Sequence, residues 1–79
     1  MYFVTSKLDK NSLELAKRAV SYLRKINADY AVDKNLKIIG NKKNIDEITP
    51  DAILAFGDDN LILKTFRDLG KRQIPLLGV

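Results

Sequence analysis

The feature that most constrains this chain is an uninterrupted apolar run, Ala52–Phe56, which leads directly into a polar turn at residues 57–60. An apolar run without polar alternation, bounded by turn residues, is typical of a strand buried on both faces of a parallel sheet. Residues 61–69 predict a helix, and Gly70 is its expected C-cap. One face of this helix is predicted to be apolar, formed by Ile62, Phe66 and Leu69. The segment indicates a strand–turn–helix unit of an α/β protein.

An amphipathic helix is predicted near the start of the chain. Residues 2–5 are aromatic and β-branched, which favours a first strand. Asn11 is the expected N-cap of the helix, with Glu14 three positions on in the manner of a capping box. Apolar residues then recur at helical spacing until Asn27, the expected stop; they are Ala16, Ala19, Val20, Leu23 and Ile26.

The sequence patterns in the middle and at the end of the chain predict further strands. Residues 29–33 favour a second strand, which pairs in parallel with the first through a right-handed crossover. Residues 36–39 are an optional added strand, residues 40–44 a loop and residues 45–48 a helical turn. Residues 75–79 have another buried-strand pattern.

This order of elements predicts the fold class and the domain organisation. We expect a single α/β domain over residues 1–79, with an open, mostly parallel, Rossmann-like sheet. Because the chain stops on a strand, we expect it to be the N-terminal piece of a longer chain, or a half-domain that a partner covers.

Composition excludes several kinds of chemistry. The 79 residues contain no Cys and no His, which excludes disulfides and thiolate metal sites and removes the commonest general base. The chain start lacks the basic and apolar segments of a signal peptide, and no apolar run is long enough to span a membrane. We therefore expect a cytoplasmic protein without a membrane partner. The net charge of +4 is mild, and no basic run is interleaved with aromatics, so we expect no nucleic-acid partner.

The turn at residues 57–60 is the candidate site. Ligands of open α/β sheets bind at the carboxyl ends of the strands, where a following helix offers backbone N–H groups and its positive dipole end to phosphate. Asp59 is placed to orient a hydroxyl or to take its proton, and Asp58 with Asp59 could help to hold Mg²⁺. In the ordinary structural alternative, Asn60 or Asp59 caps the helix. Residues 6 and 7 are expected at the same sheet edge.

Two segments resemble the NAD kinase family. Residues 51–67 resemble its nucleotide-site segment, in which an apolar strand, the loop Gly-Gly-Asp-Gly-Thr and a helix follow one another. Residues 74–79 resemble the family's later strand, which follows a Pro and ends in Gly-Val-Asn. The resemblance implies the N-terminal, nucleotide-site half of an NAD kinase-like fold.

The resemblance also implies roles for the residues of the turn. Asp59 matches the catalytic Asp, which activates the 2′-hydroxyl of NAD. Gly57, Asp58, Asn60 and Leu61 occupy the nucleotide-binding positions, with Asp58 in place of the second Gly and Leu61 in place of Thr. The implied reaction moves a phosphoryl group from ATP, or from polyphosphate, to NAD, with Mg²⁺ accompanying ATP and no resident metal.

The same resemblance implies that the chain is incomplete for catalysis by itself. A β-rich C-terminal domain normally completes the NAD site of the family, so we expect such a domain, or a homo-oligomer, as the partner. Two alternatives remain open for the function, beside a third class, nucleic-acid binding, which rests only on the positive charge. One is a non-catalytic α/β module that binds a nucleotide or a protein, and the other is the N-terminal domain of a diacylglycerol-type lipid kinase, which has a similar loop.

Overall fold

A computed structural model describes residues 1–78 and confirms the open α/β fold. The described elements are β1 Tyr2–Ser6, α1 Lys10–Lys25, β2 Tyr30–Asp33, β3 Asn41–Lys43, a 3₁₀ turn Ile45–Glu47, β4 Ala52–Phe56, α2 Asp59–Leu69 and β5 Leu76–Gly78. All the strand pairs described are parallel. Neither α-helix of residues 1–78 is long and apolar enough to cross a membrane.

The strand order across the sheet is β3-β2-β1-β4-β5, so the chain starts at the centre of the sheet and fills it in two directions. The segment through α1 builds the sheet outward on one side of β1, and the segment from β4 through α2 builds it outward on the other. The direction of winding therefore reverses between β1 and β4. Such a reversal is where open α/β sheets have their ligand-binding crevice.

The core lies in two layers, one on each face of the sheet. The layer under α1 is formed by Val4, Ala16, Val20, Leu23, Val32, Leu36, Ile38 and Phe56. The layer under α2 is formed by Phe3, Ala31, Ile53 and Leu69. Since successive residues of a strand point to opposite faces, β1 and β4 contribute to both layers. The predicted burial of Ala52–Phe56 on both faces is confirmed.

The first helix begins earlier than the sequence indicated. Asp9, not Asn11, is the N-cap, and its carboxylate accepts the Ser12 N–H at 2.8 Å and the Ser12 hydroxyl at 3.0 Å. The predicted capping box of Asn11 and Glu14 is therefore wrong, because Asp9 already satisfies the helix start. The expected stop is confirmed, since Asn27 adopts a left-handed φ of 57° just after the helix. Ile26 lies at the C-cap and is half exposed, outside the buried stripe.

Two predictions for residues 36–44 are wrong. Residues 36–39 do not form a strand, although Leu36 and Ile38 are buried with strand-like alternation. They belong to the short crossover between β2 and β3. The Lys42 ammonium donates to the carbonyls of Leu36 and Ile38, so these two acceptors need no neighbouring strand. The predicted loop instead contains β3, a polar, exposed edge strand that pairs with β2.

The second helix is close to the prediction but differs at both its start and its buried face. It begins at Asp59, two residues before the predicted start, and its C-cap is Gly70 with a φ of 63°, as predicted. Phe66, predicted on the apolar face with Ile62 and Leu69, is 53% exposed, so this face is only partly buried. Thr65 is buried instead, and its hydroxyl donates to the Leu61 carbonyl at 2.8 Å. The predicted last strand is confirmed for Leu76–Gly78, while Val79 lies outside the described residues.

Arg72 fastens the end of α2 to the 3₁₀ turn. Its guanidinium donates to the carbonyls of Leu69 at 3.3 Å, Ile48 at 2.7 Å and Ile45 at 3.1 Å. The planar fork of donors suits such simultaneous contacts with backbone oxygens from separate segments. Arg72 therefore connects the end of α2 to residues 45–48 in a chain that has no covalent crosslink.

We expect Arg72→Ala to lower the free energy of unfolding by about 2 kcal/mol, because hydrogen bonds from a charged group typically contribute about 1.5–3 kcal/mol. Urea denaturation followed by circular dichroism measures the loss. Arg67→Ala, at an exposed position in α2, is the matched control and should change stability little. Equal losses in the two variants would contradict the role of Arg72.

Candidate functional site

The carboxyl ends of β1 and β4 meet at one edge of the sheet. Ser6 is in register with Phe56, and the next residue, Lys7, donates its backbone N–H to the Phe56 carbonyl at 2.8 Å. Gly57 follows β4 directly at this edge. The predicted proximity of Ser6 and Lys7 to the turn at residues 57–60 is therefore confirmed. We refer to this edge, with residues 6–9 and 57–61, as the switch-point edge.

Both α-helices begin at the switch-point edge. The N-cap of α1 is Asp9 and that of α2 is Asp58, each with its carboxylate accepting a backbone N–H from the first turn of its helix. The positive dipole ends of both helices therefore face the same edge. An anionic or hydroxyl-rich ligand is favoured in such a place over a cation.

Asp58 links the two loops of the edge. One carboxylate oxygen accepts the Leu61 N–H at 3.1 Å, and the other accepts the Lys7 ammonium at 2.9 Å. The sequence-based alternative that Asn60 or Asp59 caps the helix is wrong, because Asp58 is the residue that precedes the first turn. The side chain assigned to a nucleotide-binding position thus already has two partners within the chain.

These contacts shift the pKa values of the pair. The hydrogen bond from Lys7, reinforced by the Leu61 N–H, holds the pKa of the Asp58 carboxyl below its ordinary range. The hydrogen bond to Asp58 raises the pKa of the Lys7 ammonium. Both side chains are about half exposed, so water screens the attraction and the pair is a modest, breakable link.

Gly57 allows the turn to pack closely. A Cβ at this position would lie 3.0 Å from the Cδ2 atom of Leu61 and 3.0 Å from the Cβ atom of Lys7. The Leu61 side chain is half-buried beside Gly57, and its N–H is used by Asp58. Leu61 therefore serves packing and offers no hydroxyl to a ligand.

Asp59 and Asn60 open α2 and are both exposed. Within the part of the chain that the structure describes, no hydrogen bond or ion pair engages the Asp59 carboxylate. Of the two adjacent carboxylates, Asp58 is thus engaged within the fold and Asp59 is available to a ligand. The two carboxylates differ because α2 begins between them: Asp58 is the N-cap, and Asp59 is the first residue of the helix.

Asp33 is a polar group of the same sheet edge that the sequence analysis missed. It ends β2, next to β1, and its carboxylate accepts the buried Thr5 hydroxyl at 2.9 Å. It also lines a cavity of about 290 Å³ between the 3₁₀ turn and α2, together with Asn35, Asn44, Ile45, Asp46, Lys64 and Asp68. Its position as the last residue of the second predicted strand could have identified it, because the carboxyl ends of neighbouring parallel strands lie at the same sheet edge.

Carboxylates are the acidic ligands that this chain could offer a metal ion, since it has no Cys and no His. Among residues 1–78, no three carboxylates come together in a way that could hold one. Asp58 and Asp59, expected to help with Mg²⁺, are adjacent in the chain, but the oxygens of Asp58 already have partners. A Mg²⁺ ion at this edge would therefore depend on the phosphate oxygens of a nucleotide for most of its ligands.

The Lys7–Asp58 pair predicts a defined pH dependence of stability. Because the folded-state pKa of Asp58 is lowered, its carboxylate stabilises the fold above about pH 4, and the contribution is lost as the pH falls through the folded-state pKa. The raised pKa of Lys7 extends its contribution upward, until the pH rises through that value. We expect Asp58→Asn, which keeps a good N-cap residue, to be less stable than wild type at pH 7 and equally stable near pH 2.

Urea unfolding at a series of pH values measures this difference. Asp29→Asn is the control, because Asp29 is exposed and precedes β2 at the opposite sheet edge. The control should show no difference that closes with acid. A stability gap for Asp58→Asn of the same size at pH 7 and pH 2 would show that the charge of Asp58 is not what matters.

No protein-family model matches the chain, and no curated protein and no solved structure matches it either.

Proposed function

We propose that this chain is the nucleotide-facing half of a cytoplasmic NAD kinase-like phosphotransferase. The observation that supports it is the location of the turn at residues 57–60, at the switch point of an open parallel sheet where such folds bind ligands. This turn and the strand after Pro75 resemble segments of NAD kinase. The resemblance supports NAD and ATP as the ligands.

The proposed reaction assigns the chemistry to Asp59. The adenosine 2′-hydroxyl of NAD donates its proton to the Asp59 carboxylate, while its oxygen attacks the terminal phosphorus of ATP. The bond from that phosphorus to the bridging oxygen breaks, and ADP leaves with the bond electrons. Polyphosphate is the alternative donor, with a shortened polyphosphate as leaving group. The exposed, unengaged state of Asp59 supports this role, since a general base must come within hydrogen-bond distance of the hydroxyl.

The other residues of the edge would position the substrates. Gly57 keeps the turn close to Lys7, whose ammonium is within reach of phosphate oxygens if it leaves Asp58. Asn60 adds an exposed amide in the first turn of α2. Mg²⁺ enters with ATP and neutralises its phosphates. A β-rich C-terminal domain, or a second copy of the chain, would complete the NAD site.

The position of Asp58 favours a second candidate, a non-catalytic module that binds a nucleotide or a protein partner. Its carboxylate already takes the Leu61 N–H and the Lys7 ammonium, two groups that a phosphate would use. A phosphate at the start of α2 therefore has to displace an internal anion. A diacylglycerol-type lipid kinase would meet the same obstacle, and the strand ending of residues 74–79 favours NAD as the acceptor.

We expect the full-length gene product to form NADP from NAD, ATP and Mg²⁺, and Asp59→Asn to lower kcat by about 100-fold or more, the usual contribution of a general base. Product formation is measured with an NADP-specific dehydrogenase. Asp29→Asn, which removes an exposed carboxylate from the opposite sheet edge, is the control and should keep full activity.

Each outcome distinguishes the candidates. Activity that is insensitive to Asp59→Asn would remove the catalytic role of Asp59. A full-length product that forms no NADP but binds ATP or NAD in calorimetry would favour the non-catalytic module.

A further inference from the structure

The positive charge of the chain is concentrated on one helix. Helix α1 contains five basic residues, Lys10, Lys17, Arg18, Arg24 and Lys25, and one acidic residue, Glu14. The chain has 14 Lys and Arg against 10 Asp and Glu, so α1 accounts for the whole net charge of +4 and the rest of the chain is neutral. A basic helix of this kind, in a domain with a pI of about 9.5, is the electrostatic signature of a polyanion-binding surface.

The basic residues of α1 form no close ion pair within residues 1–78, although Glu14 lies near Lys17 and Arg18 on the same helix. Lys7, Lys34 and Lys64 each pair with a carboxylate, whereas no ion pair of residues 1–78 involves a basic residue of α1. These five side chains are all exposed. Their charge is therefore available to an external anion.

A groove beside α1 brings basic and apolar groups together. It lies between the helix and the crossover before β3, has a volume of about 360 Å³, and is lined by Lys17, Val20, Ser21, Arg24, Lys37, Ile38 and Ile39. Three cations and a hydroxyl line it, and no carboxylate does. Lys17 and Arg24 are two turns apart, about 10.5 Å along the axis, so they can contact successive parts of an extended chain.

An exposed aromatic ring lies among the cations of the same helix. Tyr22 is 62% exposed, and helical geometry puts it on the face of Arg18 four residues before it and Lys25 three residues after it. The linear sequence separates these residues, and the helix interleaves them. An aromatic ring between cations is the arrangement that stacks unpaired bases while the cations hold phosphates.

We propose that the exposed face of α1 and the adjoining groove bind single-stranded nucleic acid. Phosphates would contact Lys17, Arg24 and Lys37 in the groove. The strand would then cross the exposed face of α1 past Arg18 and Lys25 and stack a base on Tyr22, which lies on the flank of the helix away from the groove. The net charge by itself does not favour this partner. The proposal depends on the three cations that share the groove, on the absence of a carboxylate from the groove lining and on the exposed ring of Tyr22. An acidic protein segment would use the cations but would gain little from the ring. The surface is separate from the switch-point edge, and the proposal is independent of the phosphotransferase.

The test measures binding of a fluorescein-labelled 12-nucleotide single strand to the full-length product by anisotropy at several salt concentrations. The triple variant Lys17→Gln, Arg24→Gln, Lys37→Gln removes the groove cations. The matched control Lys43→Gln, Arg67→Gln, Lys71→Gln removes the same charge from exposed positions elsewhere. We expect the groove variant to bind at least tenfold more weakly and to reduce the salt slope by about 2, since each phosphate contact contributes about 0.7. The control should stay within about threefold of wild type.

The aromatic contact is tested by Tyr22→Ala, which should weaken binding about tenfold, while Tyr22→Phe keeps the ring and should bind like wild type. Polyglutamate of similar length serves as the competitor. The proposal is overturned if no binding occurs at low salt, if both triple variants lose affinity equally, if Tyr22→Ala binds like wild type, or if polyglutamate competes as well as an unlabelled strand.

Discussion

The structure depends above all on the parallel pairing of β1 with β4. This pair lies at the centre of the sheet, and its side chains form both halves of the core, with Phe3 and Ile53 under α2 and Val4 and Phe56 under α1. Both cores and both helices are organised around it. The same pairing brings the loops that follow the two strands together, so the proximity of Lys7 to the turn after β4 is a direct result of strand register.

Much of the fold could be predicted from the sequence because its signals are local. The apolar run Ala52–Phe56 and the periodic residues of α1 identify their own structure, and the turn between β4 and α2 follows from them. The elements that were missed depend on a neighbour. β3, Asn41–Lys43, has no apolar residue and exists because β2 offers a free edge, whereas Leu36 and Ile38 alternate like a strand but find burial in the crossover.

The candidate site was likewise predictable where its features depend on local sequence, and not where they depend on distant residues. Its place at the sheet edge, and the prominence of Gly57 and Asp59, could be predicted, because a strand, a turn and a helix in sequence determine where a turn lies. The capping role of Asp58 could not be, because it depends on where α2 begins and on Lys7, a residue 51 positions away. The contact between Thr5 and Asp33 likewise needs the lateral order of the strands, which no local pattern contains.

The strand order has a consequence for how the chain folds. β1, α1 and β2 are consecutive and can associate early through contacts close in sequence. The second edge of β1 remains unpaired until β4 is synthesised, because each β4 residue follows its β1 partner by about 50 positions. Until β4 arrives, a partly folded chain exposes the unpaired backbone and apolar side chains of its future central strand. Non-local parallel pairing of this kind is slow and open to aggregation. The same strand that anchors the finished sheet is therefore the most vulnerable one during its assembly.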